Sequence, residues 1–419
     1  MVYQVITLVA NGLKSTLTRL SGVFVAIFCV ASVVFLFISV LSMLAGFSKT
    51  MSRTGQEDVA VIMRSGALSE VNSVLNVSDL PAMLAHPEIA SEGDTKLASG
   101  QFYLVVELAK KNGQAVNVPM RGIEHEETAL HPDFVLSAGR MFTRGTTEIV
   151  VGTAASGQFA GLELGNTVNI QGANWTVVGL FDDGGNVYES EIWADLQTMQ
   201  AVFQHQDTLQ SLRVKLTSPA VFDSYKAAIQ GDPRFDLQVE RETDYFSSHG
   251  SGLITLVQKT VDPLAMLMMV GAIFAALNAT YASISTRMTE IATLRALGFT
   301  DGAMSLAVLL EAILVSLIGG LIGIGVSYLI VDGFLFSTMN GEAFSQLVFR
   351  FNVTPIIVAQ GIAMALAIGL LSGLLQHGWR SELRFISRYA KRDSCSCSLP
   401  NQGIEQLWPI FWSRMKKDE

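Results

Sequence analysis

The sequence predicts an α-helical membrane protein with four transmembrane helices and an α+β extracytoplasmic domain inserted between helices 1 and 2. Three observations lead there. Half of the 419 residues are apolar and only 16% are charged, and the mean hydropathy is positive, which argues against a purely soluble chain. Four stretches of more than twenty residues carry almost no charge. The charge that is present is segregated. Residues 48–258 hold 14 Lys/Arg against 26 Asp/Glu, a net of −12, so the remainder carries +3 of the chain's −9.

A hydrocarbon core about 30 Å thick needs roughly 20 apolar residues in a helix. A cytoplasmic amphipathic helix is expected over residues 1–20, followed by the first span over 21–47, between Arg19 and Lys49. The second span covers 260–286, the third 303–331, interrupted only by Glu311, and the fourth 352–378. Each is long enough to cross with some tilt. The first is longer than the apolar core of a signal peptide, and its basic residues, Lys14 and Arg19, come late, so it reads as an uncleaved anchor. Positive charge beside the spans sets orientation. Lys14 and Arg19, Arg287 and Arg295, and Arg380, Arg384, Arg388, Lys391 and Arg392 all fall on one side. Both termini and the 2–3 loop are therefore cytoplasmic, and residues 48–258 and the short 332–351 loop face outward.

The outer segment has no cysteine; the three in the chain are Cys29, Cys395 and Cys397. With no disulfide framework, about 210 residues must build an ordinary core, for which they suffice. Glu148-Ile-Val-Val-Gly152, Thr167-Val-Asn-Ile170 and Trp175-Thr-Val-Val-Gly-Leu-Phe181 read as strands between glycine turns. Ser211-Leu-Arg-Val-Lys-Leu216 alternates as a half-buried strand does, and residues 219–230 read as a helix with Pro219 in its first turn.

Three chemical motifs in this domain fail on spacing. His125-Glu126 is followed by His131, but a zinc-protease helix needs its second His at the position of Ala129; a solvated acidic loop is the expected reading. Ser156 lacks the flanking glycines of a nucleophile elbow and reads as part of a helix start. Asp182-Asp-Gly-Gly185 matches no calcium loop and reads as a turn. An acidic middle also excludes a nucleic-acid partner, which needs a basic face.

The cytoplasmic loop is the most informative segment. From Ile284, apolar side chains recur at Met288, Ile291, Leu294 and Leu297, one face of a helix. Arg287 and Glu290 pair three apart on its surface, and Gly298 stands at a C-terminal cap. Such a helix suits either a grip for a soluble partner or an interfacial helix with snorkelling arginines.

Here the sequence resembles the FtsX-like (MacB-type) ABC transporter permeases. Their coupling region runs from a basic residue through Glu-Ile to Leu-Arg-Ala-Leu-Gly, and Arg287, Glu290-Ile291 and Leu294-Arg295-Ala-Leu-Gly298 fill it. The third span, with Glu311 followed by Gly319, Gly320 and Gly323, is similar to the family's glycine-rich helix. Gly319 and Gly323 form a Gly-x-x-x-Gly pair that permits close helix contact. Glu148-Ile-Val-Val-Gly152, Leu164-Gly165 and Val177-Val-Gly-Leu180 in the outer segment resemble a MacB-like periplasmic domain, and Leu13-Lys-Ser-Thr-Leu-Thr-Arg19 matches ahead of the first span. Glu311 sits about 12 Å into its helix. An intramembrane carboxylate there serves either an interhelical hydrogen bond or a substrate contact. Asn278 is the other polar group at depth.

The resemblance implies the permease subunit of an ABC transporter, for export or extraction of a substrate, in the bacterial inner membrane. No Gly-x-x-x-x-Gly-Lys-[Ser/Thr] loop occurs in the sequence, so no cofactor is expected on this chain and ATP is bound by a separate cytoplasmic ABC ATPase. A second permease copy, a periplasmic adaptor, an outer-membrane channel and the lipid bilayer are the further partners implied. Helices flanking the spans, over 48–56 and 239–259, would extend outward as a stalk. The alternative is a membrane-anchored sensor or scaffold that regulates an outer partner without transport.

Residues 379–419 form a basic cytoplasmic tail that departs from the family. After Leu375 the sequence reads Gln-His-Gly-Trp-Arg380 where the family has Pro-Ala-Trp-Arg. Loss of one C from codons CCA GCA TGG gives Gln-His-Gly, so a frameshift before Gln376 is expected, or else a lineage-specific tail on the anionic leaflet.

Overall fold

The computed structural model describes residues 20–285, 301–340 and 345–393. The chain opens with α1 (Leu20–Arg53), 34 residues with no charge before Lys49. At 1.5 Å per residue it is about 51 Å long, well beyond a hydrocarbon core, so its last turns stand clear of the membrane. A mixed domain follows: β1 (Val59–Arg64), β2 (Leu75–Asn76), α2 (Leu80–Leu84), the small hairpin β3 (Ser91–Glu92) and β4 (Thr95–Lys96), β5 (Ala98–Ala109) and β6 (Ala115–Ile123). Next come β7 (Phe134–Gly139), β8 (Glu148–Gly152), α3 (Thr153–Gln158), β9 (Thr167–Ile170) and β10 (Ala173–Asp183). It closes with β11 (Ile192–Asp195), α4 (Leu196–Val202), β12 (Thr208–Leu209), β13 (Ser211–Lys215), α5 (Phe222–Gln230) and β14 (Leu237–Arg241). The chain then enters α6 (Glu242–Ser285), α7 (Asp301–Ile330), the hairpin β15 (Leu335–Asn340) and β16 (Ser345–Arg350), and α8 (Pro355–Asp393).

The main sheet runs β14-β1-β13-β5-β6-β11-β8-β10-β7, with β9 also on β10. Strand β5 joins its two halves. Its first residues pair with β13 and the rest with β6. Only β6/β11 and β8/β10 are parallel.

Both faces of the sheet are covered, which the strand sequences already imply. Val59-Ala-Val-Ile-Met is apolar without alternation, as a strand buried on both faces must be. Ala60 and Ile62 point into the larger core with Phe102, Val118, Met199, Tyr225 and Ile229. Val61 and Met63 point the other way, among Val150, Phe181, Tyr188, Trp193, Tyr245 and Phe246. Tyr245 and Phe246 belong to α6, so the second face is closed by a stalk helix. Strand β13 corrects the half-buried expectation. Ser211, Leu212, Arg213 and Val214 are all buried, and the polar ones face the second, stalk-side layer.

Three helices are long and apolar enough to cross a membrane among the described residues: Val23–Arg53, Met304–Ile330 and Pro355–Leu374. They pack with α6 around Val30, Val34, Ile38, Ala272, Ile357, Ala365 and Ile368. Phe24, Phe28, Leu267, Phe274, Leu329 and Ile356 lie exposed on the bundle's outside, the inverse of a soluble helix pattern.

The outer 332–351 segment is more than a loop. Its two strands form an antiparallel hairpin, and residues 346–349 are all buried. Leu347 and Phe349 pack on Phe47 and Met51 of α1, while Val348 joins the core of the mixed domain. The Ser190 hydroxyl donates to the Val348 carbonyl (3.2 Å) and accepts its N–H (2.9 Å). Gln158 donates to the Leu335 carbonyl at 3.1 Å. The hairpin therefore docks α7 and α8 to the outer domain.

Candidate functional site

Arg287, Glu290, Ile291, Leu294, Arg295 and Gly298 lie outside the described residues. Asn278 is exposed on α6, and Glu311 is half-buried on α7. Three glycines of α7, Gly319, Gly320 and Gly323, sit at helix crossings. A Cβ on Gly319 would come within 2.9 Å of the Ile27 carbonyl oxygen, and one on Gly323 within 2.5 Å of that of Ala31, both on α1. On Gly320 it would meet the Ala365 methyl of α8 at 2.5 Å. A second small-residue stripe, missed in the sequence, lies on α8 at Gly361, Ala365, Gly369 and Gly373. Its glycines press against Ile38, Ile313 and Leu309. The four-residue spacing was the available signal.

At the other end of the stalk the chemistry is opposite. Where α1 ends and α6 begins, the domain buries a network of ionised side chains. Arg121 donates to both oxygens of Glu191 (2.7 Å each) and of Glu70 (2.9 and 3.0 Å), and to Gln101 (3.1 Å). Arg213 lies 3.4 Å from Glu70, 3.1 Å from Glu242 and 3.6 Å from Glu127. Both guanidiniums are almost completely buried, where only paired and hydrogen-bonded charge is tolerable. Arg121 also lies over the Tyr103 ring, and Arg213 over that of Tyr188. His131 bridges Asp183 (2.7 Å) and Glu127 (3.0 Å). The acidic loop expected to be solvated is thus partly buried: Glu127 and His131 are structural members of this network.

The network holds both stalk helices. Glu242, the first residue of α6, accepts from the Tyr188 hydroxyl and, at 3.0 Å, from the backbone N–H of Gln56 just past α1. Thr54 accepts from the Val187 N–H (3.0 Å), and Arg53 donates to the Gly184 carbonyl (3.1 Å). The Glu70 N–H donates to the Tyr245 hydroxyl of α6 at 3.3 Å. A cavity of about 40 Å³ lined by Glu70, Arg121, Tyr103, Tyr245 and Gln346 lies beside it, polar and roomy enough for ordered water.

Burial opposes ionisation of Glu70, but Arg121 and Arg213 outweigh it and hold its carboxyl down at about 2. Burial likewise opposes the charged form of His131. Its hydrogen bonds to Asp183 and Glu127 overcome that and raise it to about 9. Burial together with nearby Glu242 pushes the Tyr188 hydroxyl well above its usual range, against the pull of Arg213. The network therefore has fixed protonation near neutral pH: carboxylate at Glu70, imidazolium at His131, phenol at Tyr188. It provides directional attachment and no nucleophile. Among the described residues no cluster of His, Cys, Asp and Glu has metal-binding geometry.

The sequence profile of the MacB-like periplasmic core domain matches residues 23–232, half of the chain, and that of the FtsX-like permease C-terminal domain matches 264–377. The chain belongs to the MacB-type, FtsX-like permease family. Neither matched profile is an ATPase domain. A probable export ATP-binding/permease protein of Pseudomonas fluorescens is 27% identical over 225 residues, covering 51% of this chain and 33% of the relative. A macrolide export ATP-binding/permease protein, MacB, of Hahella chejuensis is 25% identical over 324 residues, covering 72% and 46%. The chain thus spans a third to a half of the length of these relatives. The periplasmic region of MacB from Actinobacillus actinomycetemcomitans is 17% identical, with a TM-score of 0.35, over 47% of this chain and 93% of that one. Within this family chain, the periplasmic-type domain is the part that the buried network fastens to α1 and α6.

Proposed function

We propose that the chain is the permease subunit of an ABC exporter, carrying ATP-driven motion from a separate cytoplasmic ATPase to the outer domain. The observation that supports it most is the stalk junction, where buried ion pairs and hydrogen bonds fix α1 and α6 to the domain, so that movement of the helices would carry the domain with them. The reading includes four spans, with α6 supplying the second, and a homodimer or heterodimer of permeases. Residues 287–298 form the ATPase grip, with Arg287, Glu290 and Arg295 as polar contacts, Ile291 and Leu294 as the apolar face and Gly298 as the terminus. The outer domain engages the substrate or an adaptor, and the membrane helices provide force and carry no solute. Relatives are named as fused ATP-binding/permease proteins, which supports an ATPase as the direct partner.

The test is affinity purification from native membranes followed by an ATPase assay. A stoichiometric ABC ATPase with vanadate-sensitive activity is expected, and Glu290→Lys should lower both its recovery and its stimulation at least fivefold. Unchanged recovery and stimulation in that variant would remove the grip assignment, and absence of any ATPase would favour a stand-alone scaffold.

A further inference from the structure

A second feature lies where the outer domain meets the membrane, away from the buried network. The span Met304–Ile330 ends three residues before Gly333, so β15 begins at the level of the outer lipid headgroups. Beneath the β5–β6 turn, β15 forms one side of an open cleft of about 540 Å³, within the usual size of small-molecule sites. Its walls differ in chemistry. Phe334 and Phe336 form an aromatic floor, both exposed, continuous with the exposed Leu329 and Ile330 at the top of α7. Lys110, Asn112 and Gln158 form the polar roof.

Two further observations point to an occupant. Ser337 lines the cleft and is more than nine-tenths buried, yet its hydroxyl has no hydrogen-bond partner. Buried polar groups without partners are uncommon in native structures. Lys110 has no carboxylate partner among the described residues, whereas the neighbouring Lys111 is paired with Glu163 at 3.5 Å. Asp332, which precedes the hairpin, accepts the Val353 N–H at 3.1 Å. The cleft thus offers one uncommitted cation above an apolar floor open to the bilayer, with an unpaired hydroxyl buried in its wall.

The geometry points to a binding site for a phospholipid of the outer leaflet, its phosphate on Lys110 and Asn112 and its upper acyl chain on Phe334 and Phe336. An acyl chain supplies what the floor lacks, and a phosphate supplies acceptors for the roof. The bound lipid would sit between the outer domain and the hairpin, wedged beside the Gln158–Leu335 hydrogen bond. This inference uses the membrane position of α7 and nothing of the ATPase grip, so the two can fail separately.

The experiment places the full chain in nanodiscs containing a phosphatidylglycerol with a photoreactive group high on one acyl chain, and maps adducts by peptide mass spectrometry. Adducts are expected to concentrate on peptides covering 108–114 and 333–340. Lys110→Glu should reduce them about fivefold or more with unchanged thermal unfolding, and Phe336→Ala should reduce them independently. Unlabelled phospholipid should compete, and a phosphate-free diglucosyl diacylglycerol should not. Adducts spread evenly over the exposed turns of α7 and α8 and insensitive to Lys110→Glu would overturn the site. Equal competition by the glycolipid would overturn the role given to phosphate.

Discussion

The two ends of the stalk helices are held by opposite kinds of force. In the membrane half, α1, α7 and α8 meet through glycines and alanines, with Gly319 and Gly323 against the α1 backbone and Gly369 against Ile313. At the outer end, α1 and α6 meet the domain through Arg121, Arg213, Glu70 and Glu242, all buried. Small-residue contact is van der Waals in origin and depends on close approach of the two backbones. Paired buried charge changes steeply, because each displaced ion is left desolvated and alone. The contrast is between a head fastened by paired charge and a base fastened by close packing.

The largest effect is expected at the head. Arg121→Met leaves Glu70 and Glu191 buried without their shared partner and should destabilise the outer domain by about 3–5 kcal/mol. The readout is urea unfolding followed at Trp193, whose indole donates to Glu191. The exposed pair Arg140–Glu148 is the control: Arg140→Met should leave the curve in place, and an equal loss there would contradict the claim that burial is what matters.

The base is tested by Gly323→Leu, which drives a side chain into the Ala31 carbonyl. A loss of about 1–3 kcal/mol is expected from overpacking, read as a lower thermal midpoint in detergent. Gly325→Leu faces open space and should be silent. If both behaved alike, the helix crossing would not depend on close approach.

A smaller effect is expected at the hairpin. Ser190→Ala removes both hydrogen bonds to Val348 and should cost about 1–2 kcal/mol. Hydrogen exchange should accelerate in β16 with β5 and β6 unchanged; protection retained in β16 would show that apolar packing alone docks it.

The smallest effect near neutrality concerns pH. The folded His131 is raised from 6.5 to about 9, so its contribution is complete below about 6.5 and is lost as pH rises through about 9. Glu70 is lowered from 4.5 to about 2, so its contribution is complete above about 4.5 and is lost as pH falls through about 2. Stability of the outer domain should therefore be broadest between these limits. His131→Gln should flatten the alkaline limb and leave the acid limb; an unchanged alkaline limb would take His131 out of the network's energetics.

The first, third and fourth spans were legible in the sequence because the bilayer imposes a length and a composition that a single stretch of chain can satisfy. Strands β8, β9 and the core of β10 were legible because Glu148-Ile-Val-Val-Gly152 and its neighbours carry their own turn glycines. The network was not. Its members, Glu70, Arg121, His131, Glu191, Arg213 and Glu242, are spread over more than 170 residues, and each alone looks like an ordinary surface charge. The one local hint was the position of Arg213 within an apolar strand, which the alternation rule assigned to solvent. The hairpin was read as a loop because four consecutive buried residues, 346–349, face two different partners and so show no single period. Residues 287–298, the most informative in sequence, fall outside the described residues.

The pairing of Ala60 with Arg241 has a consequence for how such proteins diversify. The chain enters the outer domain on β1 and leaves it on β14, neighbours about 5 Å apart. A domain whose ends lie that close can be exchanged without moving the helices that carry it, by evolution or by splicing at the bench. The buried charges decide where the cut must fall. Glu242 is numbered with the helix but bonded to the head, so a graft made at residue 242 would strand its partners Arg213 and Tyr188, whereas one made a turn further along α6 would take the lock with the domain.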